Sequence, residues 1–240
     1  MKYGVQMYSL RDITGKDLDG ALKAVSEIGY KYVEFAGFFG HSAEDVRKML
    51  DKYNLEVSGT HTGWNEVADN FENTVKYHKT IGNKNIIVPG ADLGSKAKLD
   101  AFIDMFNVFA PKLKAEGIDF QYHNHSHEFY PTAEGYEIHK ELETRTDMMF
   151  EIDTFWAFNA GRDPIEMITR LAPRINCIHL KDGIKGGAGF SLGLGEAPVK
   201  AVREKAIELG FTMVVESEGC DPTGIEEVTR CFNYLTTLDK

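Results

Sequence analysis

The sequence predicts an α/β protein with the fold of a (β/α)8 barrel, formed as a single domain over residues 1–240. Three observations predict it. Strand-like and helix-like segments alternate eight times, and the 240 residues fit a barrel whose typical length is about 250. The first strand is not followed by the GxGxxG motif that a doubly wound open sheet usually carries. No linker or low-complexity segment divides the chain.

Eight short segments have the residue pattern of strands, and each is followed by a helix-like stretch. They are KYGVQMYS (2–9), YKYVEFAG (30–37), LEVSGTHTG (55–63), NKNIIVPG (83–90), GIDFQYHNH (117–125), MMFEIDTF (148–155), INCIHLKD (175–182) and FTMVVESE (211–218).

The stretches between the strands carry apolar residues at three- and four-residue spacing, which predicts amphipathic helices. Ser42 and Asp163 are predicted N-caps, and Pro164 follows Asp163 in the first turn. Several helices end in a residue type that suits the left-handed conformation at a helix C-terminus. These residues are Gly29, Asn54, Gly82, Gly117 and Gly210.

The composition is that of an acidic globular chain. Its 27 Lys and Arg residues and 37 Asp and Glu residues give a formal charge of -10, and no basic stripe is visible, so we expect no nucleic-acid partner. No run approaches the roughly 18 apolar residues of a membrane helix, and the N-terminal stretch lacks the apolar core of a signal peptide. The cysteines are odd in number and form no CxxC pair. We therefore expect reduced thiols, a cytoplasmic location and no membrane association.

Ionisable side chains collect at the C-terminal ends of the predicted strands, where the active site of such a barrel is built. Strand residues two apart face the same side. Predicted pairs of this kind are His123 with His125, Glu151 with Asp153, and Glu216 with Glu218. Burying so many unpaired groups is costly, and a divalent cation would offset that cost. Carboxylate and imidazole ligands without thiolate favour Mn²⁺, Mg²⁺, Co²⁺ or Zn²⁺.

Six stretches give the chain a resemblance to the xylose isomerase-like (sugar phosphate isomerase/epimerase) superfamily of metal-dependent TIM barrels, in the branch with a YHNHxxEF stretch. They are GVQMYSLRD (4–12), SGTHTGW (58–64), YHNHSHEF (122–129), FEIDTFWAFNAGRDP (150–164), CIHLKDG (177–183) and VVESEGCDP (214–222). Each stretch is weak alone, but they occur in family order across nearly the whole chain, which makes the set specific.

The resemblance implies one cation held by an acidic residue from the middle of the barrel, an Asp, a His and a Glu. Carried over by position, the last three are Asp153, His179 and Glu216. The first ligand departs from the family pattern, because many relatives have a glutamate roughly where His123 stands. Either Glu128 folds back from the loop to complete the site, or His123 or His125 is the ligand; Glu128 is preferred.

The same departure affects the predicted catalytic residues. In related ketose epimerases, two metal-bound glutamates on opposite faces of the sugar remove and return the proton. Loss of one of them requires another base, and imidazole groups titrate near neutral pH. His123 and His125 are therefore predicted to transfer protons together with Glu216.

Four further residues are candidates for contact with the substrate, each with a structural alternative. They are His61, Trp156, Lys181 and Glu218. His61 and Trp156 could instead be packing residues, Lys181 could pair with a nearby carboxylate, and Glu218 could support a ligand. Glu34, at the end of the second strand, is equally consistent with a place in the pocket and with an ion pair to a neighbouring strand.

The predicted function is that of a metal-dependent isomerase or epimerase, which acts on a keto or aldehydo sugar through a metal-stabilised enediolate. The alternative is a lyase or dehydratase of a keto-sugar or 3-keto-glycoside, similar to inosose dehydratase, in which β-elimination follows the same enolisation. An endonuclease for abasic DNA shares the fold, but the acidic charge and missing ligands argue against it. A non-catalytic sugar-binding barrel is the remaining alternative.

Two further expectations concern the surface. The glycine-rich segment 183–196 is predicted to be a mobile rim or lid. Aromatic residues in the predicted helices would permit a homo-oligomer, and the expected partner in solution is a small carbohydrate substrate.

Overall fold

Eight parallel strands close into a barrel in the computed structural model, which describes residues 1–239, and this confirms the predicted fold. The strands are β1 (Gly4–Gln6), β2 (Tyr32–Phe35), β3 (Glu56–His61), β4 (Asn85–Val88), β5 (Asp119–His123), β6 (Met149–Asp153), β7 (Ile175–Leu180) and β8 (Thr212–Val215). The barrel closes at Gly4, which is paired with Val214 on β8 and with Tyr32 on β2.

Helices surround the barrel. They are α1 (Arg11–Thr14), α2 (Leu18–Ile28), α3 (Ala43–Tyr53), α4 (Trp64–Asp69), α5 (Phe71–Ile81), α6 (Lys96–Ala115), α7 (Ile138–Arg145), α8 (Thr154–Asn159), α9 (Pro164–Arg170), α10 (Val199–Leu209) and α11 (Gly224–Leu238). Short 3-10 helices span Met7–Leu10, His127–Phe129 and Ala172–Arg174. The Ser42 hydroxyl accepts a hydrogen bond from Asp45 N, and the Asp163 carboxylate accepts one from Ile165 N, so both predicted N-caps are confirmed.

Several strands are shorter than the sequence predicts. β1 ends at Gln6, because the Gln6 side chain accepts a hydrogen bond from Tyr8 N and starts a 3-10 turn. β5 ends at His123 and β8 at Val215. The strand alternation predicted for His123 with His125, and for the two glutamates after Val215, therefore does not hold, because the later residues lie in loops beyond the strand ends.

The inside of the barrel is unusually polar, whereas the main apolar core lies between the strands and the helices. A small apolar cluster of Ile87, Cys177 and Val214 is separate from that core. Gly59 allows a close approach here, because a Cβ at this position would lie 2.6 Å from Ile87 Cδ1 and 3.2 Å from Glu34 Oε2. A carboxylate can therefore enter the barrel interior beside β3.

None of the helices within residues 1–239 has both the length and the apolar character needed to cross a membrane. Cys177 and Cys231 are buried, Cys220 is half-buried, and all three are free thiols.

His78 on α5 is a buried histidine away from the barrel mouth. Its Nδ1 lies 3.1 Å from the Asn83 amide nitrogen and 3.3 Å from the Thr60 hydroxyl. Burial lowers the pKa of His78 to about 4, against an ordinary value of 6.5. The folded protein therefore holds this imidazole neutral at pH values where an unfolded histidine is protonated.

We expect His78 to make folding sensitive to acid. Because its folded pKa lies below its unfolded pKa, its contribution is complete above about pH 6.5 and is lost as the pH falls toward 4. The difference is worth about 3 kcal/mol. Urea unfolding of the wild type and His78→Gln between pH 7.5 and 4.5 should show a shallower loss in the variant. Parallel pH dependences in the two proteins would contradict the prediction.

Candidate active site

Strand register places ionisable side chains side by side inside the barrel. Residues paired across adjacent parallel strands point to the same side of the sheet. The register pairs His123 with Glu151, Asp153 with His179, and Gln6 with Glu34. All six side chains are buried. The polar interior is therefore a direct result of how the strands are aligned.

One group of buried side chains has the composition of a divalent-metal site. It consists of His123, Asp153, His179 and Glu216, and one ligand-type atom from each lies within 4.8 Å of the others. His179 Nδ1 lies 3.3 Å from Glu216 Oε2 and 3.8 Å from Asp153 Oδ2. Two imidazoles and two carboxylates suit the borderline and hard divalent ions expected from the sequence.

Asp153 shows that these residues fit a cation. Its Oδ1 accepts a hydrogen bond from Trp156 N at 2.8 Å and so caps α8. Its Oδ2 is buried and has no hydrogen-bond partner in the part of the chain that the structure describes. An unsatisfied buried carboxylate oxygen is costly, and a cation among the four ligand-type side chains would satisfy it.

A second group lies around the carboxylate of Glu151. Its Oε2 is 2.9 Å from His61 Nε2, 3.3 Å from His123 Nδ1 and 3.2 Å from His179 Nε2. Glu34 Oε1 lies 2.7 Å from the same nitrogen of His179. Sequence reasoning gave no role to Glu151 and an undecided one to Glu34. In the sequence, the only indication of this group was one glutamate in each of the strands β2 and β6.

Burial and neighbouring charges shift the pKa values of these groups in different directions. Burial lowers the pKa of His123 to about 4. Burial and then the Glu151 charge raise the pKa of Glu34 to about 7. Burial would lower the pKa of His179, but the Glu151 and Glu34 carboxylates outweigh it and raise that pKa well above its ordinary value. Such divergent shifts are typical of functional sites.

Lys181 is a buried cation beside the four ligand-type side chains. Its Nζ donates to Glu216 Oε2 at 2.9 Å and to Glu218 Oε1 at 2.6 Å, and it lies 4.6 Å from the centre of the Trp156 ring. Burial would lower its pKa, but the Glu216, Asp153 and Glu218 carboxylates raise it. The structure therefore brings together three of the predicted substrate-binding residues, Lys181, Glu218 and Trp156.

A pocket of about 360 Å³ opens onto this site. It is lined by Tyr8, Ala36, His61, Pro89, His123, His125, Glu216 and Glu218. The predicted residues His61 and His125 are thus at the pocket wall. His125 Nδ1 is buried without a hydrogen-bond partner among the described residues. Tyr8 was missed as a lining residue, because its segment was predicted to be strand.

Glu128, the preferred first ligand in the sequence, is not brought together with Asp153, His179 and Glu216. Its Oε1 accepts from the Tyr122 hydroxyl at 3.1 Å, and its Oε2 accepts from His125 N at 2.8 Å. It forms a separate group with His125 and His127. Because both of its oxygens have partners elsewhere, the geometry favours His123 among the alternatives for the first ligand.

The glycine-rich segment 183–196 is anchored by one carboxylate. Asp182 is buried and its two oxygens accept four backbone N–H groups at 2.8 to 3.1 Å. The donors are Gly183, Gly193, Gly195 and Ala197. A Cβ at Gly195 would lie 2.3 Å from Asp182 Oδ1, so glycine is needed there. These bonds do not support the expectation of a freely mobile lid.

Replacing Asp182 with Asn is expected to release this segment. An amide nitrogen cannot accept the N–H groups that face it, and bonds to a charged acceptor are worth about 1.5–3 kcal/mol each. We expect faster amide hydrogen exchange across residues 183–197 and an unfolding free energy lower by about 3 kcal/mol. Glu196→Gln, which neutralises the exposed carboxylate that accepts from Lys185 N, is the control. Unchanged exchange in Asp182→Asn would contradict the prediction.

The closed barrel, with its ionisable groups at the C-terminal strand ends, defines a class of α/β barrel that builds its site at that face. The model of the family described as xylose isomerase-like TIM barrel matches residues 22–234. The chain belongs to that family, which confirms the resemblance seen in the sequence at the level of the superfamily.

Three known proteins that are similar to this chain are named as dehydratases or as a sugar phosphate isomerase/epimerase. The chain is 25% identical over 191 residues to an inosose dehydratase of Geobacillus kaustophilus, covering 68% of this chain and 61% of that protein, so it spans less than two thirds of that relative. A solved sugar phosphate isomerase/epimerase from Parabacteroides distasonis has a TM-score of 0.86, 25% identity, and coverage of 98% and 97% of the two chains. A probable 3-DHS dehydratase from Bacillus anthracis, at 13% identity, a TM-score of 0.77 and coverage of 98% and 99%, shares the fold.

Proposed function

We propose that the chain is a divalent-metal-dependent enzyme that isomerises or epimerises a keto or aldehydo sugar. The observation that carries this proposal is the buried group of His123, Asp153, His179 and Glu216 beside the pocket, in which Asp153 Oδ2 has no hydrogen-bond partner within residues 1–239. Membership of the xylose isomerase-like family and the likeness to a sugar phosphate isomerase/epimerase support it.

His123, Asp153, His179 and Glu216 would hold the cation, which we propose to be Mn²⁺, Mg²⁺, Co²⁺ or Zn²⁺. When bound, such an ion supplies a Lewis acid that polarises a carbonyl group and stabilises the negative charge that develops on deprotonation.

In this arrangement, His125 and Glu216 would transfer the proton. Both line the pocket, and His125 Nδ1 has no protein partner among the described residues, so it is free to exchange a proton with the sugar. With His123 used as a ligand, the proton-transfer role predicted for it passes to His125. A proton taken from carbon and returned to the sugar balances the reaction without a co-reactant.

The substrate would be oriented by polar groups around the pocket. An ammonium group has three donors, and Lys181 uses two of them on Glu216 and Glu218, so one remains for a sugar oxygen. Trp156 Nε1 is also a buried donor without a partner in residues 1–239. His61 lines the wall of the pocket, whose volume of about 360 Å³ suits a small carbohydrate.

The first test is the metal content of untagged protein, because a polyhistidine tag would bind the same ions. We expect about one Mn, Co, Zn or Mg ion per chain, lost in Asp153→Ala and in His179→Ala. The metal-loaded protein should then incorporate solvent deuterium next to the carbonyl of its keto-sugar substrate. If the purified protein contained no metal and both variants behaved like the wild type, this mechanism would be wrong. A non-catalytic sugar-binding barrel would then be the remaining alternative.

A lyase or dehydratase of a keto-sugar or 3-keto-glycoside is the second candidate. The 25% identity to an inosose dehydratase favours it. After the same proton removal, the oxygen substituent on the adjacent carbon leaves with its bonding electrons and must be protonated. His125, which holds the proton taken from carbon, would give it to that oxygen, and Glu218, part-exposed at the same pocket and bonded to Lys181, would accept a hydrogen bond from the substrate. Release of water or an alcohol with ultraviolet absorbance of an enone would identify the lyase, whereas deuterium exchange without elimination would identify the isomerase.

A further inference from the structure

Each histidine in the proposed metal site has one ring nitrogen that faces a buried carboxylate outside that site. His123 Nδ1 lies 3.3 Å from Glu151 Oε2. His179 Nε2 lies 3.2 Å from the same oxygen and 2.7 Å from Glu34 Oε1. Glu151 and Glu34 are not among the four proposed ligands, and the family assignment gives them no role.

The two carboxylates are held firmly in place. Glu34 and Glu151 are fully buried. Glu151 Oε1 accepts from the Cys177 thiol at 3.2 Å, and Glu34 Oε1 accepts from Gln6 Nε2 at 2.6 Å. Because both carboxylates are fully buried, their contacts with the histidine nitrogens are shielded from solvent.

The position of the carboxylates determines where each imidazole carries its proton. A neutral imidazole has one N–H donor and one nitrogen lone pair, and an ionised carboxylate only accepts. In the neutral form that a metal ligand must take, the proton therefore lies on His123 Nδ1 and on His179 Nε2. The lone pairs that remain are on His123 Nε2 and on His179 Nδ1, and the latter is the nitrogen that faces Glu216 and Asp153.

We propose that Glu151, assisted by Glu34, is a positioning residue that selects the imidazole tautomers of His123 and His179, so that each ring presents a lone pair to the cation. This inference rests on the proposed function, because it assigns these histidines as ligands. Carboxylate partners of metal-bound histidines orient the ring and increase the basicity of the ligating nitrogen.

The two carboxylates have separable effects. Glu151 contacts both histidine ligands, whereas Glu34 contacts only His179 of the two. Removing Glu151 leaves His123 Nδ1 without its acceptor, while His179 keeps Glu34 Oε1. Removing Glu34 leaves the His123 contact unchanged. A variant pair at these positions therefore distinguishes a specific effect on the tautomer from a general loss of packing.

The direct test reads the tautomer of His123 in metal-free protein by two-bond proton–nitrogen NMR of ¹⁵N-histidine at pH 8. We expect His123 to be protonated on Nδ1 in the wild type and in Glu34→Met, and to shift to the Nε2 tautomer in Glu151→Met. Glu143→Met is the matched control, since it removes a carboxylate that bonds His139 Nδ1 at 2.9 Å on the outer helix α7.

Zinc affinity, measured by chelator competition, is the second readout. We expect Glu151→Met to weaken zinc binding by about 10- to 100-fold and the control to leave it unchanged. His123 protonated on Nε2 in the wild type would overturn the inference without any variant, as would an unchanged tautomer and affinity in folded Glu151→Met. Wild-type protein that does not bind zinc or the other divalent ions would overturn the proposed function instead, and the tautomers of the metal-free protein would still decide the role of Glu151.

Discussion

Replacing His123 with alanine is expected to weaken divalent-metal binding by about a hundredfold or more, because it removes a ligand rather than a supporting group. Turnover should fall with it, by about a thousandfold at saturating sugar, since a Lewis acid is worth several kcal/mol of transition-state stabilisation. The expectation follows from the position of His123 beside Asp153, His179 and Glu216. Isothermal titration with Mn²⁺ and Zn²⁺ measures the affinity.

Glu128→Gln is the matched comparison for this prediction, because Glu128 was the competing candidate for the same ligand position. Its oxygens bond to the Tyr122 hydroxyl and to His125 N, away from the proposed site. We expect its metal affinity to stay within about threefold of the wild type, a change of well under 1 kcal/mol. Loss of metal in Glu128→Gln with retention in His123→Ala would reverse the ligand assignment.

Replacing Lys181 with methionine is expected to destabilise the metal-free protein strongly. Lys181 is fully buried, and its ammonium group forms ion pairs with Glu216, Glu218 and Asp153. Removing one member of a buried ion pair leaves the opposite charge uncompensated and costs about 3–5 kcal/mol. Urea unfolding in the presence of a chelator should show a loss of this size.

The surface lysine Lys185, replaced by methionine, is the control for side-chain length and should unfold like the wild type. Added divalent metal should recover part of the stability of Lys181→Met, because a cation beside Asp153 and Glu216 would offset the same negative charge. A loss of less than about 1 kcal/mol in chelated Lys181→Met would show that the carboxylates do not depend on this ammonium group.

The fold could be predicted from the sequence because its signals are local. Alternation of strand and helix patterns and the helix caps at Ser42 and Asp163 depend on neighbours within a few residues, and all were confirmed. The strand ends were less accurate. At Gln6 the side chain caps the following turn and stops the strand, a contact that strand propensity does not register.

The candidate site could be predicted in part. Asp153 and His179 were named as ligands from the resemblance to the family, and the structure places them side by side in register. Glu128 was the difficult residue, since sequence spacing does not show to which side of β5 a loop side chain returns. Tyr122 and His123 are consecutive and so face opposite sides of the strand. Glu128 bonds the Tyr122 hydroxyl, on the side opposite His123.

The contacts that Glu34 and Glu151 make with the histidines could not be predicted from the sequence. They are far apart in the sequence, and both strands carry register irregularities, between Val33 and Glu34 on β2 and between Phe150 and Ile152 on β6. A pattern of alternating residues cannot follow a strand through such an irregularity. Their approach to one imidazole ring becomes visible only when the barrel closes.

The proposed ligands come from β5, β6, β7 and the residue after β8, so they meet only in the closed barrel. An ion bound by all four would recognise the native state and not the unfolded chain. At a free concentration one hundred times its dissociation constant, it would add about 2.7 kcal/mol to the unfolding free energy. The melting temperature of this protein would then report metal occupancy directly, and the supply of metal in a cell would help to set how much of the chain stays folded.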